Sequence, residues 1–130
     1  MTYSYRLSPD EDLIRCEITG EYDPQESIAL YREICARGEW QEGWGVLIDV
    51  HDRAGTPTGE GINRLVGCLS TLRKQLAGPV AIFTGTTAQF GMMWMLEIRA
   101  ELAGIKLRAF KDEGAALEWL RGEGRRGRVT

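Results

Sequence analysis

Apolar residues recur along this chain at two spacings, every second residue and every third or fourth, and the switches between them mark out its elements. In TYSYRL, Tyr3, Tyr5 and Leu7 alternate with polar neighbours, the period of a half-buried strand. SPDED supplies turn chemistry, and LIRCEITG follows with Leu13, Ile14, Cys16 and Ile18, so the chain is expected to open with an antiparallel hairpin. The period then lengthens. Asp23 can cap a helix, Pro24 suits its first position, and Glu26 stands where a capping box places an acid. Ile28, Tyr31, Ile34 and Cys35 form the apolar stripe, and Gly38 ends it. GVLIDV, residues 45–50, is a nearly continuous apolar run, as expected of a strand covered on both faces.

After a polar loop at 51–58, Ile62, Leu65, Val66, Leu69, Leu72 and Leu76 predict a second helix that Gly78-Pro79 stops. VAIFT at 80–84 reads as another buried strand, and GTTAQFG leads into a third helix, MMWMLEIRAELAG, closed by Gly104. IKLRAF alternates as a strand. Asp112 caps a last short helix bearing Ala116, Leu117, Trp119 and Leu120. The order is β-β-α-β-α-β-α-β-α, an N-terminal hairpin followed by βαβαβα units. It predicts an α/β fold with a mixed, mostly parallel five-stranded sheet covered by helices. One domain over residues 1–121 accounts for the pattern. The remainder, 122–130, is Gly/Arg-rich with little to bury and is expected to be a disordered basic tail.

Composition narrows the classes. The 130 residues are 43% hydrophobic and 27% charged, ordinary for a globular domain. No apolar run approaches the roughly 20 residues that span a bilayer. The opening lacks the basic flank and apolar stretch of a signal peptide, so a cytoplasmic location without a membrane span is expected. Cys16, Cys35 and Cys68 are odd in number and scattered, which points to packing rather than a disulfide or zinc framework. Residues 1–121 carry 13 basic and 18 acidic side chains, a balance that disfavours nucleic acid as a partner.

Several stretches together resemble a known family. GVLIDV before a loop and helix, GPVAIFTG, QFGMMWMLEIRAEL and the ending RAFKDEGAALEWL resemble, in order and spacing, STAS domains, specifically SpoIIAA-like proteins related to bacterial anti-sigma-factor antagonists. The resemblance covers about residues 3–121, and the fold is also similar to that of lipid-transfer CRAL-TRIO domains. It implies either of two functions. Antagonists of this kind are switched by phosphorylation of a serine at the start of the helix after the third strand. Here Thr56-Pro57-Thr58-Gly59 occupies that place, with Thr58 at the serine position and Pro57 where an acid should be. The lipid-transfer relatives imply instead a carrier of a lipid-like or other small apolar molecule. From the residues alone, Thr56 and Thr58 read as helix caps, with Pro57 at the first helical position after Thr56.

His51 beside Asp49 and Asp52 invites a catalytic or metal reading. No nucleophile stands beside the histidine except Thr56 and Thr58, and no ligand spacing confirms a metal. Neither a catalytic residue nor a metal or cofactor is assigned. In an open parallel sheet, ligands bind beyond the carboxyl ends of the strands, which here means loops 51–58 and 85–89 and the start of the third helix. Phe90, Met93, Glu97 and Ala100 make one stripe of that helix, and Trp94, Ile98 and Glu101 its neighbour. Met92, Met95, Leu96 and Leu102 add more apolar surface than a helix lying on a sheet needs. The candidate contact residues are therefore Phe90, Met92, Met93, Trp94, Met95, Thr86 and Thr87. They suit a non-enzymatic recognition domain that binds a protein partner, a second copy of itself, or an apolar ligand in a pocket of a few hundred Å³ near Phe90 and Met93. Trp40 and Trp44 belong at the opposite end of the sheet, sealing the core.

Overall fold

The strand periods close into one sheet in the computed structural model, which describes residues 2–38, 40, 43–76 and 78–128. The chain runs β1 (Thr2–Ser8), a 3-10 turn (Pro9–Glu11), β2 (Leu13–Glu21), α1 (Pro24–Arg37), β3 (Gly45–Asp49), β4 (Arg53–Ala54), α2 (Gly59–Thr71), β5 (Val80–Phe83), α3 (Thr87–Leu102), β6 (Leu107–Phe110) and α4 (Glu113–Arg128). The sheet order is β1-β2-β3-β5-β6, with the β1–β2 pair antiparallel and the other neighbours parallel. This is the mixed, mainly parallel α/β sheet that the pattern implies, with one strand more than the five it predicts.

That extra strand is β4, two residues inside the stretch expected to be loop. Its sequence, Arg-Ala, carries no apolar period. It exists because Gly20 and Glu21 at the far end of β2 pair with Arg53 and Ala54, and because the Tyr22 N–H donates to the Ala54 carbonyl at 2.8 Å.

Alternation sorts the strands onto two cores. Ile14, Cys16, Ile18, Val46, Ile48, Val80 and Ile82 face α1, α2 and α3 and pack with Leu30, Tyr31, Ile34, Ile62, Leu69, Leu96 and Ala100. Leu13, Leu47 and Ala81 point the other way, under Ala116 and Leu120 of α4. β3 and β5 are thus buried on both faces, and that is why they read as continuous apolar runs. Past Leu13, the side of β1 and β2 away from α1 carries Arg15 and Glu17 instead of apolar residues.

Three helix boundaries depart from expectation. α2 stops at Thr71, five residues before Leu76; the Leu72 N–H still reaches the Cys68 carbonyl, which also accepts the Thr71 hydroxyl at 2.7 Å, and residues 72–76 run on through turns. Leu72 and Leu76 still pack on the core from that coil. α3 begins at Thr87, not after Gly91, because Thr86 is its cap and its hydroxyl oxygen accepts the Gln89 N–H at 3.0 Å. α4, expected to be short, runs as helix from Glu113 to Arg128; residues 129–130 lie outside the described residues. At the amino end of β3, Trp40 is buried and its indole N–H donates to the Trp44 carbonyl at 2.9 Å, the sealing role expected of this pair.

Candidate functional site at the carboxyl edge of the sheet

β3 and β5 are adjacent, so the loops leaving them lie side by side. Gly85 follows β5 with no room for a side chain, since a Cβ there would run into the His51 backbone of the neighbouring loop. Gln89, in the first turn of α3 and almost fully buried, fastens the two loops together. Its Oε1 accepts the Gly85 N–H at 3.1 Å, while its Nε2 donates to the carbonyls of Arg53 at 2.6 Å and Gly55 at 3.2 Å. Arg53 fastens the same loop to α1. It is buried over the Tyr22 ring, with its guanidinium donating to the Asp23 carbonyl at 2.7 Å and the Ser27 hydroxyl at 3.2 Å. Burial pulls the Arg53 pKa down, and the nearby buried Glu26 carboxylate holds it up. These bonds tie the two loops and α1 together, and neither fastener is among the sequence candidates. Gln89 registers there only as an amide in a polar loop. Arg53 has no signal, since its burial depends on β4.

Between this rim and the sheet lies a partly enclosed cavity of about 30 Å³, walled by Ile18, Ile48, Ile62, Leu65 and Met93 and reached by Tyr31, Arg53 and Gln89. Among the described residues, the Tyr31 hydroxyl and Arg53 Nε are buried without a hydrogen-bonding partner. The space suits about two water molecules, an order of magnitude below the few hundred Å³ of a small-molecule site. The expected pocket near Phe90 and Met93 is therefore not formed at that size. Met93 touches the cavity, whereas Phe90 lies outside it, 4.9 Å beneath the Lys111 ammonium.

The other candidates separate just as clearly. Met93 is core, and Met92 and Met95 are half-buried. Thr86 is committed to capping α3, and Thr87 is exposed in its first turn. Trp94 is 52% exposed, and it does not stand alone: Ile98 is 40% and Leu102 85% exposed. These three follow one another at i+4, one row along the outside of α3. The buried row, Gln89, Met93, Leu96 and Ala100, lies on the opposite side. The apolar residues that seem surplus in the sequence are thus an outward face, and only Trp94 of its three members is in the candidate set; Ile98 comes from the neighbouring stripe and Leu102 from the added apolar surface.

Thr58, not Thr56, caps α2: its hydroxyl oxygen accepts the Gly61 N–H at 3.0 Å and the helix starts at Gly59. Pro57 consequently precedes the cap instead of filling the first helical position, and its ring is buried against the cavity. His51 is exposed and stacked on Phe83 at 5.0 Å. Its Nδ1 is bonded to Asp49 Oδ1, and its Nε2 lies 3.3 Å from Asp52 Oδ2. The bond to Asp49 raises the histidine pKa; desolvation opposes it, and the charges of Asp49, Asp52 and Glu17 add to the rise. Asp49 also accepts the His51 backbone N–H at 3.0 Å, so this cluster is a closed turn. Among the described residues, no group of three or more His, Cys, Asp or Glu side chains is arranged to hold a metal ion. Burial lifts all three thiols, most strongly that of Cys16, to about 12.

The comparisons with known proteins bear on the architecture. The chain is similar to an uncharacterized protein of the DUF3478 family from Shewanella loihica, solved with a SpoIIAA-like fold, at a TM-score of 0.57 and 18% identity over 92% of both chains. This chain has a SpoIIAA-like fold. At that identity the likeness carries the fold and not the activity. No family model matches the sequence, and neither does any curated protein. Within the SpoIIAA-like frame, the start of α2 is the position where the resemblance places a phosphorylated serine, and here it holds the capping Thr58. Among the described residues no helix is long and apolar enough to cross a membrane.

Proposed function

We propose that this chain is a non-catalytic recognition module that docks a protein partner through the outer face of α3. The observation that carries this reading is the Trp94–Ile98–Leu102 row, three large apolar side chains left in solvent on a helix whose opposite side is already buried. Contiguous exposed apolar side chains, with an aromatic among them, mark protein interfaces more often than chance. The rim supports the same reading. Gln89 and Arg53 hold the loops beside α3 in one arrangement, so a partner meets a preformed surface and little ordering opposes binding. A carrier function finds less support, because the cavity beneath the rim, about 30 Å³, is too small for an acyl chain.

The reading is tested by placing a photo-crosslinking amino acid at Leu102 and, as a control, at the exposed Ala29 on α1. A discrete adduct formed from position 102, absent from position 29 and lost when Trp94→Glu is added, is the expected outcome. Identical adducts from both positions, or none from either in cells that make the protein natively, would remove the α3 face as the docking surface.

A further inference from the structure

The two edges of the sheet are treated differently. At the β6 edge, Glu97 reaches down from α3 and its Oε1 accepts the outward Ala109 N–H at 3.0 Å, so the strand offers no free run of backbone there. β1, at the other edge, is seven residues long and, among the described residues, pairs with no strand on its outer side. A groove of about 370 Å³ follows Tyr3 to Leu7, bounded on one side by Glu33 and Arg37 of α1. These two residues hold the β1 side chains and leave its backbone alone: the Tyr3 hydroxyl donates to Glu33 at 2.8 Å, and Arg37 donates to the Tyr5 hydroxyl at 2.8 Å. Leu7 is 37% exposed at the end of the groove.

We propose that this edge pairs with the same edge of a second copy, antiparallel about a two-fold axis at Tyr5, joining the two sheets into one. The register follows from the side chains. Centred on Tyr5, the pairing sets Tyr3 against Leu7 of the second copy on the α1 side, and Ser4 against its Arg6 on the α4 side. Every residue of the strand is then used, and the exposed leucine gains an aromatic neighbour. Shifting the centre to Arg6 would bring two like charges face to face, and shifting it to Ser4 would leave Leu7 and Ser8 unpaired. The strand supplies about 24 Å of ladder. α3 packs beside β6 at the far end of the sheet, so the dimer presents two α3 faces, and a partner with two sites would bind it with avidity.

Cysteine cross-linking reads the register directly. Opposed residues of an antiparallel pair place their Cβ atoms about 4.5–5.5 Å apart, close to disulfide geometry. Under mild oxidation Tyr5→Cys alone should cross-link, while Ser4→Cys alone and Arg6→Cys alone should do so at least tenfold more slowly. Mixing the latter two should restore the Tyr5→Cys rate, and this arm stands even if Tyr5→Cys, which loses the Arg37 bond, folds poorly. Adding Trp94→Glu should change none of these rates, which separates this pairing from docking at α3. Cross-linking without register preference, its loss in Trp94→Glu, or a wild-type chain that sediments as a monomer at every concentration would overturn the proposal.

Discussion

Replacing Gln89 by leucine tests whether the rim is held together as described. The substitution keeps most of the volume, so cavity formation adds little, and it deletes three hydrogen bonds at once. Two of them end on Gly85 and Gly55, both exposed, whose backbone groups can turn to water at a cost of about 0.5–1 kcal/mol each. The third ends on the carbonyl of Arg53, which is buried; stranding it costs about 1–3 kcal/mol. Together these come to about 3 kcal/mol, a large share of the roughly 5–15 kcal/mol that holds a domain of this size folded. With a urea dependence of about 1.5 kcal/mol per molar, the unfolding midpoint should fall by about 2 M with its slope unchanged. In the same variant the Gly85 amide should exchange with solvent far faster than in the wild type. A midpoint shift below about 0.5 M with Gly85 still protected would refute the view that Gln89 holds the two loops together.

Thr58→Ala should cost about 1 kcal/mol through loss of the α2 cap, and Thr58→Ser almost nothing; equal costs in thermal melts would show that the hydroxyl is not the cap. In an NMR titration the His51 ring should protonate above its ordinary value of 6.5, and Asp49→Asn should bring it back down. Because the folded pKa is the higher one, any stability the pair contributes is complete below about pH 6.5 and fades as pH rises through the folded value, and the exposure of His51 keeps it small. Gly85→Ala should destabilise by about 1–3 kcal/mol, since its methyl group meets the His51 backbone and not a flexible side chain; a neutral result in chemical unfolding would mean that the two loops are not in contact.

The parts of the fold legible in the sequence are those whose information is local. The Asp23 cap and Pro24 at the start of α1 are what their residues say they are, with Asp23 accepting the Gln25 N–H, whereas Glu26, expected to close a capping box, is buried and, among the described residues, returns no side-chain bond to Asp23. The doubly buried strands β3 and β5 announce themselves because both faces need apolar residues. Where a long-range contact decides, the reading falters. β4 is a strand only because the end of β2 lies beside it, and Arg53 is buried only because Tyr22, Asp23 and Ser27 receive it. α2 ends at Thr71, although the apolar period runs on to Leu76, because Leu72 and Leu76 reach the core from turns as well as they would from a helix. At the candidate site, the excess of apolar residues on α3 is visible from composition and spacing. Which side of the helix is the surplus one depends on where the sheet lies. Met93 and Trp94 are adjacent in sequence, yet one is core and the other is surface.

The central claim is that the outer face of α3 binds a protein. It is tested most directly by native mass spectrometry of the chain freshly isolated from cells that make it, alongside Trp94→Glu. The account expects a second polypeptide on the wild type that is missing from the variant, with the two chains melting at the same temperature because Trp94 contributes little to the core. A small-molecule adduct carried equally by both proteins and released on denaturation, with no second polypeptide on either, would contradict it.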